Sequence, residues 1–244
     1  MKFKFLGTGQ LATKRRCTSF IVNDSILFDI GNGTVAGLIE NGLDVSNIKV
    51  IVISHFHADH FGDIVYFFHR RSIQGLTDKQ LMIIGPKGLK QKAIGLEVQM
   101  FGDFGDFKDI EERWNLKFAE LDDDQKVIAE DFEITAFRVK HGTGTCNGYI
   151  IKQRDGATLG YTGDACLSDG LVGRIPEAKN WIMDANDVMR MENFHIGFGE
   201  VIGIADTHKN TTFYAVHRKD YDTGNAPANL ICPIDNDEYV ARTK

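Results

Sequence analysis

The sequence predicts an α/β protein in which two mixed β-sheets pack face to face with helices on the outside. Three observations carry this expectation. Sheet-forming segments outnumber helical ones, the helices arrive singly rather than after each strand, and one strand is a continuous aliphatic run of the kind covered on both faces. A doubly wound parallel sheet would need a helix after nearly every strand. At 244 residues, with 43% hydrophobic and 25% charged content, the chain can bury a substantial core. We expect a single domain over residues 1–244.

The first half opens on short alternating runs, KFKFLG, CTSFIVN and SILFDIG, which Gly and Asn-Asp separate as in meandering antiparallel strands. TVAGLIENGL has apolar residues at helical spacing and ends near Gly42. IKVIVIS is the aliphatic run, hence a central strand. GDIVYFFHRRS reads as a helix, QLMIIGP as a strand and KGLKQKAIGLEVQMFG as a further helix. In the second half NLKFAEL and FEITAFRVKH read as strands, with the acidic DDD cluster a solvated turn. NGYIIKQRDGATLGYTGD is a hairpin turning at RDG. KNWIMDAND is a strand, FGEVIGIADTHK a helix, TTFYAVH a strand and LICPI a short last one.

Composition narrows the function. No apolar stretch approaches the roughly 20 residues that span a bilayer, and MKFKFLGTGQ lacks the apolar region of a signal peptide. We expect a cytoplasmic protein with no membrane partner. The four cysteines, Cys17, Cys146, Cys166 and Cys232, form no C-x-x-C pair and read as buried small hydrophobes. A net charge of −6 supplies no general attraction to nucleic acid. The basic stretches TKRR at Thr13–Arg16 and HRR at His69–Arg71 read as solvated charge.

The chemistry concentrates in VISHFHADHFGD, which begins at Val52 and holds three of the chain's eight histidines. Imidazole nitrogen and carboxylate oxygen suit zinc, and also iron or manganese. His55 and His57, two apart at a strand end, point to one side and can grip one ion. Asp59 and His60, adjacent in a tight turn, aim elsewhere and suit a second. Further donors must come from distant strand ends. His141 closes FEITAFRVKH ahead of a Gly-Thr-Gly turn, Asp164 closes LGYTGD, where its two oxygens can bridge two cations, and His217 closes TTFYAVH. Each alone is an ordinary edge residue; together with the cluster they read as ligands.

The cluster with His141, Asp164 and His217, in this order, resembles the metallo-β-lactamase superfamily nearly end to end. The stretches LGTGQLATKRRCTSFIVNDSILFDIGNGT, GYIIKQRDGATLGYTGD and NFHIGFGEVIGIADTHKNTTFYAVH are similar to its ribonuclease Z branch. The resemblance implies a four-layer αβ/βα sandwich with the metal site at one edge of the sheets. It implies two divalent ions, zinc first, with manganese or iron(II) as alternatives. His55, His57, His141 and Asp164 would hold one ion, and Asp59, His60, Asp164 and His217 the other. It also implies that His195 faces the scissile phosphate; otherwise His195 is a polar residue ahead of the last helix.

Two departures qualify the branch. Ribonuclease Z proteins commonly insert a long arm that clamps transfer RNA between the positions of His141 and Asp164, where this chain has only a hairpin. MDANDV stands where the family often has Glu-Ala-Thr-Phe, in a loop expected to line the site. The expected function is therefore a binuclear phosphodiesterase acting on a small-molecule or RNA phosphodiester, with Asp59 as general base and His195 either stabilising charge on the phosphoryl oxygens or protonating the leaving alkoxide. The alternative keeps the metals and hydrolyses a lactone, thioester or lactam. A redox di-iron centre would usually bring a flavin domain, and a non-catalytic module would not need all seven ligand positions filled. The sequence leaves a homodimer open.

Overall fold

The computed structural model describes residues 1–102, 107–142, 144–224, 226–241 and 243. In the first half, β1 (Lys2–Gly7), β2 (Ser19–Val22), β3 (Ile26–Phe28), α1 (Thr34–Glu40) and β4 (Val50–Val52) lead to a one-turn helix α2 (Ala58–Phe61). Then come α3 (Ile64–Ile73), β5 (Leu81–Gly85), α4 (Leu89–Phe101), α5 (Phe107–Arg113) and β6 (Leu116–Glu120). The second half holds β7 (Lys126–Ala129), β8 (Phe132–Val139), β9 (Cys146–Gln153), β10 (Thr158–Tyr161) and α6 (Asp169–Arg174). It continues with β11 (Asn180–Asp184), α7 (Phe198–Thr207), β12 (Thr212–Val216), β13 (Leu230–Ile231) and β14 (Glu238–Val240).

These strands form two seven-stranded sheets, ordered β14-β1-β2-β3-β4-β5-β6 and β13-β12-β11-β10-β9-β8-β7. Both are mixed. β3 to β6 pair in parallel, as do β10 to β13, whereas β1 to β3 and β7 to β10 pair antiparallel. The expected face-to-face arrangement is present, and the period-2 alternation of side chains explains how it is filled. Phe3, Phe5, Phe20, Phe28, Tyr161 and Tyr214 meet between the sheets. Leu6, Ile21, Leu27, Ile51 and Ile53 point the other way, onto Leu38, Phe67, Phe68 and Ile94 of the first helical layer. Trp181, Met183 and Phe213 likewise face Leu171, Val201 and Ile204 of the second. IKVIVIS therefore lacks alternation because each of its faces is buried in a different core.

Several elements were not legible from pattern. Helices α5 and α6 are each a turn or two long, β7 is mostly exposed, and β14 returns from the far end of the chain to pair with β1. Asp59 and His60 do not sit in a tight turn; they occupy α2, where the His60 N–H donates to the His57 carbonyl at 3.0 Å. Of the Gly-Thr-Gly turn expected after His141, Thr143 lies outside the described residues.

The basic stretches are not solvated charge throughout. Arg71 is 2% exposed, and its guanidinium donates to the carbonyls of Trp114, Leu76 and Lys79. Arg16 donates to the Leu6 carbonyl and pairs with Glu40 and Asn236. A planar fork of donors satisfies carbonyls at helix ends, in loops and, for Leu6, where the β1–β2 register shifts. Cys17 and Cys146 are buried as expected, whereas Cys166 and Cys232 are only half-buried. No described helix is long and apolar enough to cross a membrane.

Candidate metal centre

The ligand-like residues gather where the carboxyl ends of strands from both sheets meet, the usual place for a site in parallel-strand architectures. The first sheet supplies the loop after β4. It is pinned from below by Asp29, fully buried and held in the left-handed region at φ 52°. The Ser54 N–H and hydroxyl donate to the two Asp29 oxygens, both at 2.7 Å, and the Tyr161 hydroxyl donates to Oδ2 at 2.6 Å. His60 Nδ1 lies 2.7 Å from the same Oδ2. Two glycines allow this closeness. A Cβ on Gly31 would lie 1.7 Å from the Asp59 carbonyl oxygen, and one on Gly163, at φ 57°, would lie 2.7 Å from Ser54 Cβ.

The hydrogen bonds set which imidazole nitrogen faces inward. The Asp29 carboxylate accepts, so His60 carries a proton on Nδ1 and turns Nε2 toward Asp164. The Phe194 carbonyl fixes His141 the same way, at 2.7 Å from Nδ1. Ser54 Oγ, already donating to Asp29, accepts from His55 Nδ1 at 3.0 Å. His217 Nδ1 lies 3.1 Å from the Asn186 amide, and its Nε2 lies 3.3 Å from Asp59 Oδ2. His217 itself is left-handed at φ 55°, an unusual backbone state for a non-glycine residue.

Two sets of potential ligands result, each with its ligand atoms within 4.8 Å of one another: His55, His57, His141 and Asp164, and Asp59, His60, Asp164 and His217. Asp164 belongs to both. Its Oδ2 lies 3.9 Å from His55 Nε2 and 3.8 Å from His141 Nε2, while its Oδ1 lies 3.1 Å from His60 Nε2. All seven residues singled out from the sequence are therefore brought together.

The residues fit divalent cations on two counts. His55 Nε2 is a buried polar atom without a hydrogen-bond partner, and His60 Nε2 and Asp164 Oδ1, buried and 3.1 Å apart, face only each other's side of the cluster, which would be costly unless a further group satisfied them. The cluster also calls for positive charge. Burial opposes protonation of His217, yet Asp164, Asp184 and Asp59 raise its pKa to about 10. Burial would raise Asp59, but the His217 hydrogen bond and the neighbouring His60 hold it down at about 2. Nitrogen and oxygen donors in this ratio suit zinc, manganese or iron.

His195 does enter the site. Its Nδ1 lies 2.9 Å from Oδ2 of the fully buried Asp184, which also accepts from the Ala165 N–H at 3.0 Å. Its Nε2 is thus left for the cavity of about 420 Å³ that His57, Asp59, His141, Asp164 and His217 also line. Asp164, Asp184, His195 and His217 form a third set at ligand-like distances. Because Asp184 and His195 bind each other, this set orients rather than adds a ligand sphere. Sequence reading missed Asp29, Asp184 and Asn186. Their signals were the Asp-x-Gly of FDIG and the MDANDV stretch, which lines the site as expected and still supplies a carboxylate.

The fold is that of the metallo-β-lactamase superfamily. YhfI from Bacillus subtilis, a metallo-β-lactamase fold protein, superposes with TM-score 0.75 at 17% identity, over 98% of each chain. The short form of human tRNase Z gives TM-score 0.75 at 20% identity, over 99% of this chain and 100% of that one. Among sequences, ribonuclease Z of Staphylococcus carnosus is 31% identical over 160 residues, 62% of this chain and 49% of that protein. Ribonuclease Z of Picrophilus torridus is 33% identical over 159 residues, 63% and 48% respectively. The chain thus spans about half the length of the curated relatives it matches, and the ribonuclease Z-like branch read from the motifs is borne out. Within this class, residues 1–230 match the family described as "Anti-Pycsar protein Apyc1", and the chain belongs to that family.

Proposed function

We propose that the protein is a binuclear metal-dependent phosphodiesterase acting on a small-molecule phosphodiester or an RNA end. The observation that carries this reading is the shared Asp164 beside a carboxylate-held His195, in one cavity. His55, His57, His141 and Asp164 would hold one divalent ion, and Asp59, His60, Asp164 and His217 the other, zinc being the first candidate. When bound, such ions lower the pKa of water toward neutrality and offset charge on phosphoryl oxygens.

The chain's own groups do the rest. Asp59, whose Oδ2 lies 3.3 Å from His217 Nε2, can accept the proton of the attacking water through its carboxylate. His195 can donate a proton from Nε2 to the departing alkoxide, with Asp184 holding Nδ1 so that the ring cannot turn away. Alkoxide departure needs this help, and the ribonuclease Z relatives support a phosphodiester over a lactone, thioester or lactam.

A substrate panel on metal-replete protein tests the proposal. We expect hydrolysis of bis(4-nitrophenyl) phosphate and poor processing of precursor transfer RNA, since the segment between β9 and β10 is a short turn. Fast hydrolysis of a lactone or lactam with no action on phosphodiesters would overturn it.

A further inference from the structure

We propose that Asn193 is a positioning residue for His195, latching the loop that carries it onto the strand end that carries His141; for turnover the inference rests on the phosphodiesterase reading. The loop is a narrow hairpin. Asp187 bridges Gly197 at its base, and Met191 bridges His195 near its tip. There the Met191 N–H donates to the His195 carbonyl at 3.2 Å, and the His195 N–H to the Met191 carbonyl at 3.0 Å. Every residue from Val188 to Phe194 is exposed, and the next buried side chain is Ile196 on the returning arm. Apolar packing therefore holds the base and leaves the tip to polar contacts.

Those contacts converge on one residue. The Asn193 carbonyl accepts from the Gly142 N–H at 2.7 Å, and its Oδ1 accepts from Lys140 Nζ at 2.7 Å. Lys140 and Gly142 flank His141, whose Nδ1 lies 2.7 Å from the carbonyl of Phe194, the next residue of the loop. Three consecutive residues after β8 are thus tied to two consecutive residues of the tip. Asn193 is left-handed at φ 66°, a backbone state that asparagine accepts and β-branched residues resist. Gly142 is left-handed too, and a Cβ there would come within 3.4 Å of the Phe194 ring. His195 follows two residues beyond Asn193, with its Nδ1 2.9 Å from Asp184. Asp184 stops the ring from turning but does not hold the loop; the latch sets how far Nε2 reaches into the cavity. Asn193 does not line that cavity, so its influence on the reaction passes through His195.

Asn193→Val tests this, because it removes the acceptor and disfavours the left-handed turn at an exposed position that leaves the core intact. Turnover of uridylyl-(3′,5′)-uridine, whose leaving group is an alkoxide, should fall by on the order of 10-fold or more, the scale set by a misplaced catalytic group. KM and metal content should stay near the wild type. Asn193→Asp keeps both the turn and the acceptor and should recover most of the loss. In a His195→Ala background, Asn193→Val should cost nothing further, since two residues acting as a unit are not additive. A second readout needs no turnover. In zinc-loaded protein the downfield proton resonance of His195 Nδ1–H against Asp184, identified by its absence in His195→Ala, should shift or broaden in Asn193→Val and return in Asn193→Asp. Unchanged turnover, equal losses with and without His195, or an unmoved resonance would make Asn193 an ordinary turn residue and overturn the proposal. Metal loss in Asn193→Val would overturn it as well, by placing the effect on His141. If the wild type cleaves no diester, the phosphodiesterase reading fails, and the resonance still decides the latch.

Discussion

The two ligand sets share Asp164 yet are built differently. In the set of His55, His57, His141 and Asp164, His57 is exposed, and the groups behind the histidines are neutral: the Ser54 hydroxyl and the Phe194 carbonyl. In the set of Asp59, His60, Asp164 and His217, every member is buried, two are carboxylates, and a further carboxylate, Asp29, backs His60. Burial strengthens the field of each carboxylate, and an acceptor behind an imidazole raises its basicity toward a metal. The second set should hold its ion more tightly and release it more slowly. The lesson is that seven similar-looking donors make two unequal ligand sets because of what stands behind them.

The largest effect should come from breaking what the sets share. Asp164→Ala removes an oxygen from each, so elemental analysis should fall from two ions per chain toward none, with turnover abolished. Retention of one full ion with this variant would show that the sets do not depend on the bridge. Next in size is Asp59→Asn, which keeps a ligating oxygen in the second set but removes the anionic acceptor. Turnover should drop by roughly 10²-fold or more with partial metal loss, and near-normal turnover would remove Asp59 as the base.

His195→Ala leaves both sets intact and should cost on the order of 10²-fold in turnover at unchanged metal content and melting temperature. The loss should be smaller for a nitrophenolate leaving group than for an alkoxide. Equal losses for both would assign His195 to charge stabilisation rather than proton donation. The smallest change, Asp29→Asn, sharpens the inequality itself. It touches no ion, yet affinity for the second ion should weaken by about 10–100-fold while the first is less affected. Competitive chelator titration reads both steps, and a uniform weakening would mean that Asp29 supports the loop rather than one site.

Much of this site was legible because its signals are local or terminal. His55, His57, Asp59 and His60 announce themselves by spacing, and His141, Asp164 and His217 by ending apolar strands. The residues behind them carry no such mark. Asp29 lies at the end of β3, and only its left-handed backbone and the closure of Gly31 onto Asp59 place it under the loop. Asp184 looks like the end of any buried strand until Ala165 and His195 converge on it. Arg71 and Arg16 read as surface charge because their partners are carbonyls and side chains from segments far along the chain.

By itself the sequence determined the layered α/β class, the order of the principal strands and helices, and which seven donor side chains to look for at one place. Alternation and residue chemistry are properties of short segments, and they survive without knowledge of where the segments go. Only the tertiary structure decided that β14 closes the first sheet, that Asp164 turns one oxygen to each ligand set, and that His195 is held by Asp184. Those facts depend on which strand ends meet. That is settled by the packing of two cores against a common interior, at a range that no local pattern encodes.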